Sequence, residues 1–199
     1  MDVGRDGQLV FYFGPMDSGK STLALQMYHN LARPGKHGLL FTHLDRQGDN
    51  VVSSRLGVSM TALNFGGERF EPDVFATVDF IVIDEAQFLS EEQVEGLAVL
   101  VDENDVEVYA FGLATDFRTK LFSGSKRLFE LADEVILVQL RTFCWCGRRA
   151  FLNARILDGK VMHSGPTVLV GDTGGEGAQY AVLCRRHHRS GQAEATFVD

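Results

Sequence analysis

Short runs of consecutive apolar residues alternate with longer stretches of helical spacing along most of this chain. Residues 9–13, 38–42, 78–83, 106–113 and 135–140 each form an apolar run of strand length. Polar residues do not alternate within these runs, so both faces of each strand are expected to be buried. Helical patterns fall between them. The run Leu23-Ala24-Leu25-Gln26-Met27-Tyr28 is helix-competent, and residues 91–101 put Val94, Leu97, Ala98 and Val101 on one face with Ser90 as N-cap. Residues 125–131 predict a short helix. Apolar strands separated by helices predict an α/β fold with a largely parallel sheet covered on both sides. After Leu140 the pattern breaks into short β-like pieces at 150–156, 167–170 and 181–183, set among Cys, Gly and Arg. The glycine-rich stretch 171–177 reads either as a solvated turn or as a cover over a substrate. These shifts predict two units, residues 1–140 and 141–199, and no internal repeat stands out.

Composition narrows the partners. A chain of 199 residues holds one good core with a small appendage. A net charge of −8 argues against nucleic acid backbone or an anionic membrane as partner. No apolar run approaches the roughly 20 residues of a membrane span. Met1-Asp2-Val3-Gly4-Arg5-Asp6 lacks the basic and apolar parts of a signal peptide, so a cytoplasmic protein is expected.

The segment Gly14-Pro15-Met16-Asp17-Ser18-Gly19-Lys20-Ser21-Thr22 fits G-x-x-x-x-G-K-[ST], the phosphate-cradling P-loop. It follows a predicted strand and opens a predicted helix, the context the motif needs. Glycines let the backbone curl so that N–H groups face phosphate oxygens, and the helix N-terminus adds partial positive charge. Gly14, Met16, Asp17, Ser18, Gly19, Lys20, Ser21 and Thr22 are therefore the candidate nucleotide-binding set. Lys20 is expected to reach the β- and γ-phosphates, and the Ser21 hydroxyl to sit on Mg²⁺.

Phe80-Ile81-Val82-Ile83-Asp84-Glu85 is an apolar strand ending in two acids. Asp84 is the candidate to orient Mg²⁺, and Glu85 the candidate general base for an attacking hydroxyl or water. Ligands of such sheets gather at the carboxyl ends of the strands, where the P-loop and these acids would meet. Asp84-Glu85-Ala86-Gln87 also resembles helicase motifs, but a single acidic domain suits a nucleic-acid motor poorly.

Cys144, Cys146 and Cys184 are an odd count for a disulfide framework. With His187 they offer four N/S ligands suited to a tetrahedral structural zinc. His188 competes with His187 for the fourth place. Such a site would staple a loop of roughly forty residues that has little core of its own.

These pieces, in this order, resemble the cellular-type (type II) thymidine kinases over most of the chain. The P-loop from Phe13 with its Pro15-Met16 pair is similar, as are Ser53-Ser54-Arg55-Leu56-Gly57 and Asp84-Glu85-Ala86-Gln87-Phe88. So are Gly112-Leu113 with Asp116-Phe117-Arg118 and Phe122, the cysteine set, and Val170-Gly171 with Tyr180 ahead of Cys184. The resemblance implies a P-loop NTPase with a RecA-like parallel sheet and a small C-terminal zinc-ribbon and lasso domain. It implies phosphoryl transfer from ATP, with Mg²⁺, to the 5′-hydroxyl of deoxythymidine, and a homotetramer. Glu85 becomes the base, with Gln87 supporting the site. Met16, Phe88, Leu113, Phe117, Phe122 and Tyr180 line the nucleoside pocket, with Val170 in the closing loop and Arg55 on substrate or phosphate.

The chain departs from the family pattern at several points. Leu44 stands where an acid is usual, with Asp45 as its possible replacement. Asp17 replaces a frequent aromatic. Asn153 stands where the family often has Thr near the base methyl, which bears on the choice between thymidine and deoxyuridine. Residues 173–177 lengthen the lasso, and the first cysteine pair is C-x-C. Two rival readings follow: a nucleotide- and zinc-binding regulatory protein without turnover, and a P-loop ATPase or kinase for another small molecule.

Overall fold

The computed structural model describes residues 7–33, 35–43, 51–54, 56–167 and 178–194. The five apolar runs become β1 (Leu9–Phe13), β2 (Gly38–Thr42), β6 (Phe80–Ile83), β7 (Glu107–Gly112) and β8 (Glu134–Leu137), and the short strand β5 (Leu63–Asn64) joins them in one six-stranded sheet. Their order is β5-β2-β6-β7-β1-β8, and every pairing is parallel. The P-loop strand β1 and the acid-ending strand β6 are separated by β7, which is the RecA-like order. Both therefore end on the same rim, with Gly112 of β7 between them.

Side-chain alternation explains why these strands read as unbroken apolar runs. Phe11, Ile81, Ile83, Val108 and Ala110 face a core shared with Val94, Leu97 and Leu100 of α2 (Glu91–Asn104) and Leu128 of α3 (Ser123–Leu131). Val10, Phe80, Val82, Tyr109 and Phe111 face the other way, onto Ala24 and Leu25 of α1 (Lys20–Ala32). Ser90 caps α2 as expected, in a full capping box with Gln93.

Several boundaries move. Strand β6 begins at Phe80, because His37 N–H donates to the Asp79 carboxylate at 2.6 Å and Asp79 N–H to His37 O at 2.8 Å, turning the chain there. Strand β8 ends at Leu137 and lies at the sheet edge, where Val135 and Leu137 stay exposed, so one face of this strand is not buried as expected. A hairpin of β3 (Val51–Ser53) and β4 (Ser59–Thr61), and the short edge strand β5, carry too little apolar pattern to be predicted.

Beyond the sheet, β9 (Thr142–Phe143) pairs with β10 (Arg149–Ala150). Strands β12 (Lys160–Val161), β11 (Leu152–Leu157) and β13 (Gln179–Leu183) form an antiparallel sheet, and α4 (Arg185–Ser190) follows. Their small core is Cys144, Ala150, Ala154, Val161, Leu183, Cys184 and Ala193. No described helix is long and apolar enough to cross a membrane.

Candidate active site

The P-loop turns back on itself through two residues of positive φ, Asp17 at 61° and Gly19 at 79°. Glycine is suited to the second, where the chain enters α1. Ser18 is fully buried, and its hydroxyl has no partner among the described residues. Lys20 Nζ donates to Pro15 O at 2.8 Å. Burial pushes the Lys20 ammonium below its ordinary pKa, against the pull of Glu85, Asp84 and Asp17.

Asp84 leaves the end of β6 buried and accepts a hydrogen bond from Ser21. Burial first, and the neighbouring Glu85 second, push its carboxyl up to about 7. Ser21 and Asp84 thus offer hard oxygen ligands side by side, a donor set that fits magnesium.

Glu85 holds φ at 57°, an uncommon value for a residue with a side chain. Its carboxylate accepts a hydrogen bond from Gln87 Nε2. Gln87 is buried, and its own Oε1 accepts from Leu113 N–H at 2.9 Å. One amide therefore ties the carboxylate to the end of β7. Gly112 permits this approach, since a Cβ there would lie 2.9 Å from Gln87 N and Oε1.

An aromatic wall stands beside the acids. The Phe88 ring lies 4.9 Å from that of His43 and 5.6 Å from Phe122. Leu113 O accepts from Ser125 Oγ, which fixes the loop entering α3. Phe117 is buried under the Arg155 guanidinium, 4.0 Å from the ring centre. Arg155 Nε donates to Tyr180 Oη at 2.9 Å, and its other nitrogens to Pro166 O and Thr167 O. Arg118, paired with buried Asp116, adds bonds to Gly165 O and Thr167 Oγ1. Two arginines thus fasten the segment that leads into the glycine-rich stretch. Arg55, Val170, Leu44, Asp45 and residues 171–177 lie outside the described residues.

The four candidate metal ligands converge. The Cys144, Cys146 and Cys184 sulfurs and His187 all lie within 4.8 Å of one another. His187 Nδ1 is 3.4 Å from Cys144 Sγ and 3.6 Å from Cys184 Sγ, and the Cys146 and Cys184 sulfurs are 4.0 Å apart. Tetrahedral zinc with thiolate bonds near 2.3 Å would set sulfurs about 3.8 Å apart, so the set fits it despite the tight C-x-C. Trp145 stacks on the His187 ring at 4.1 Å. His188 points elsewhere: its Nε2 lies 2.9 Å from Phe117 O. His187 is the histidine of the cluster.

Sequence reasoning missed the Arg118, Arg155 and His188 links. The Asp116 turn, in which Oδ1 accepts from Arg118 N–H at 2.8 Å, is an Asx pattern that D-F-R could have suggested. The other links join residues far apart in sequence and leave no local signal.

Fold and site together define a P-loop nucleotide-binding α/β protein with a ribbon built on three cysteines and one histidine. The family model described as thymidine kinase matches residues 7–188. The chain belongs to the thymidine kinase family. It is 47% identical over 201 residues to a thymidine kinase of Streptomyces coelicolor, covering 95% of this chain and 92% of that protein. It is 47% identical to one of Cutibacterium acnes, with 92% and 89% covered. A thymidine kinase of Legionella pneumophila is 40% identical, with 96% and 93% covered.

Proposed function

We propose that this chain transfers the γ-phosphoryl group of ATP to the 5′-hydroxyl of deoxythymidine. The observation that carries this is Glu85, oriented by Gln87 and set beside Lys20, Ser21 and Asp84 on one rim of the sheet. Residues Gly14, Met16, Asp17, Ser18, Gly19, Lys20, Ser21 and Thr22 cradle the nucleotide, with Gln87 behind Glu85. Ser21 and Asp84 hold magnesium, which when bound neutralises charge on the phosphoryl oxygens. The Glu85 carboxylate takes the 5′-hydroxyl proton as the new O–P bond forms, and the bridging oxygen leaves with ADP. Met16, Phe88, Leu113, Phe117, Phe122 and Tyr180 border the nucleoside, with Arg55 and Val170 completing the site. A flat base suits an aromatic wall.

Cys144, Cys146, Cys184 and His187 hold a structural zinc, since four protein ligands leave no open position. Residues 1–140 form the nucleotide-binding domain and 141–199 the zinc-binding lasso domain. The enzyme acts in the cytoplasm as a homotetramer, and a net charge of −8 suits small-molecule substrates rather than nucleic acid or membrane.

The test is ADP release from purified protein with Mg-ATP, comparing thymidine, deoxyuridine, deoxycytidine and no acceptor. Thymidine-dependent release is expected. Release without any acceptor would make the protein an ATPase, and bound ATP without release would make it a regulatory binder.

A further inference from the structure

One peptide unit at the crest of the P-loop is gripped on both edges. Its carbonyl, Pro15 O, accepts from Lys20 Nζ at 2.8 Å. Its amide, Met16 N–H, donates to Asn153 Oδ1, also at 2.8 Å. Asn153 Nδ2 in turn donates to Thr115 O at 3.1 Å. A trans peptide is a rigid plate whose C=O and N–H point in opposite directions. Lys20 and Asn153 therefore hold opposite edges of the same plate.

Asn153 is well placed for this. It is 5% exposed and sits on β11, paired with Val182 of β13. Its amide has one orientation only, because Met16 N–H requires an oxygen and the Thr115 carbonyl requires a nitrogen. Both partners are main-chain groups, so the grip does not depend on a neighbour's rotamer. With its N–H on Asn153, Met16 contributes to the nucleotide cradle through its place in the loop and not through an amide directed at phosphate. The two grips also differ in permanence. Phosphate oxygens compete with Pro15 O for the Lys20 ammonium, whereas Asn153, anchored by its second bond to Thr115 O, keeps its oxygen turned to the part-buried Met16 N–H.

We propose that Asn153 is a positioning residue that holds Met16 in place as a wall of the nucleoside pocket while Lys20 moves between Pro15 O and the phosphates of ATP. This rests on the kinase reading above, in which Met16 borders the nucleoside. The C-terminal unit thereby sets the shape of the P-loop crest from outside the loop. The Thr115 bond ties the same amide to the loop that carries Leu113 and Phe117. Three walls of the pocket then share one side chain.

A double-mutant cycle tests this. Asn153→Leu keeps the approximate shape and removes both hydrogen bonds, and Met16→Ala removes the wall through which Asn153 is argued to act. The thymidine KM, ATP KM, kcat, melting temperature and zinc content are measured for wild type, both single variants and the double variant. Asn153→Leu is expected to raise the thymidine KM about 10-fold or more, the scale of coupling between contacting residues. The ATP KM should stay within about 3-fold. In the Met16→Ala background, Asn153→Leu should add less than about 2-fold to the thymidine KM. An equal rise in both backgrounds, or a lower melting temperature with all kinetic constants unchanged, overturns the proposal. Should Asn153→Leu not fold, Asn153→Ser withdraws the polar atoms from both partners and enters the same cycle with the same criteria. Wild-type protein that does not turn over thymidine would instead overturn the kinase reading, and so separates the two failures.

Discussion

Asp84 and Glu85 are adjacent carboxylates in unlike surroundings, and the contrast assigns them different work. Asp84 is buried and its proton is held up to about 7, whereas Glu85 is partly exposed and is steered by a buried glutamine. Glu85→Gln should leave ATP affinity in place and lower single-turnover phosphorylation about 100-fold or more. Full turnover in that variant would remove Glu85 from the role of base. Asp84 makes a separate prediction about stability. A carboxyl whose folded pKa lies above its ordinary 3.8 takes up a proton on folding. Its favourable contribution is complete below that value and is lost as pH rises through about 7. Asp84→Asn should therefore raise the melting temperature of ligand-free protein at pH 8, by about 3 °C or more, and change little near pH 4. Melts at the two pH values check this, and equal shifts at both would discard the buried-carboxyl account. At this scale the pair of acids was legible, because an apolar run ending in Asp-Glu is a local pattern. The hold of Gln87 on Glu85 was only half legible: the glutamine is two residues away, but its second bond to Leu113 is a contact across strands. Asn153 and Met16 are 137 positions apart, and no local pattern could have joined them.

Elements were legible in proportion to their apolar content. Strands β1, β2, β6 and β7 read clearly because both faces are buried, and α2 read clearly because its stripe and cap agree. The two-residue strand β5 and the β3–β4 hairpin draw their order from packing at the sheet edge, which composition does not encode. Helix α4 shows how an element resolves an ambiguity that sequence leaves open. Consecutive residues on a helix point about 100° apart, so His187 and His188 cannot serve one site. His187 turns to the sulfurs and His188 to Phe117 O. His187→Ala should lower bound zinc well below one ion per chain, while His188→Ala should keep its zinc and loosen the Phe117 loop. Metal analysis of the two purified variants decides it, and the opposite order would reassign the fourth ligand.

At the scale of the whole molecule, the ribbon is more than an appendage to the sheet. Asn153 reaches the P-loop, Arg155 covers Phe117, Arg118 holds Gly165 and Thr167, and His188 binds Phe117 O. Every one of these links is polar or cationic, and the ribbon's apolar cluster is separate from the two clusters that flank the sheet. The sheet can therefore keep its own core if the ribbon comes apart, whereas the ribbon, with seven small or medium buried residues, would depend on a metal held by its cysteines and His187. Strand β13 leads directly into Cys184, and β11 pairs with β13, so losing that ligand releases the strand that carries Asn153 and Arg155. Cys184→Ser should shed zinc and raise amide hydrogen exchange in strands β9 to β13 and in α4. Exchange in β1, β6 and β7 should remain slow. ATP should still bind, because the P-loop, Ser21 and Asp84 belong to the sheet, but thymidine-dependent turnover should fall about 10-fold or more as the pocket loses the grip on Met16 and the cover on Phe117. Hydrogen exchange read by mass spectrometry, beside ATP titration of the same sample, separates this from its alternative. If sheet and ribbon lost protection together, the two would form one cooperative unit, and the polar seam between them would be strong enough to carry unfolding from the metal site to the core.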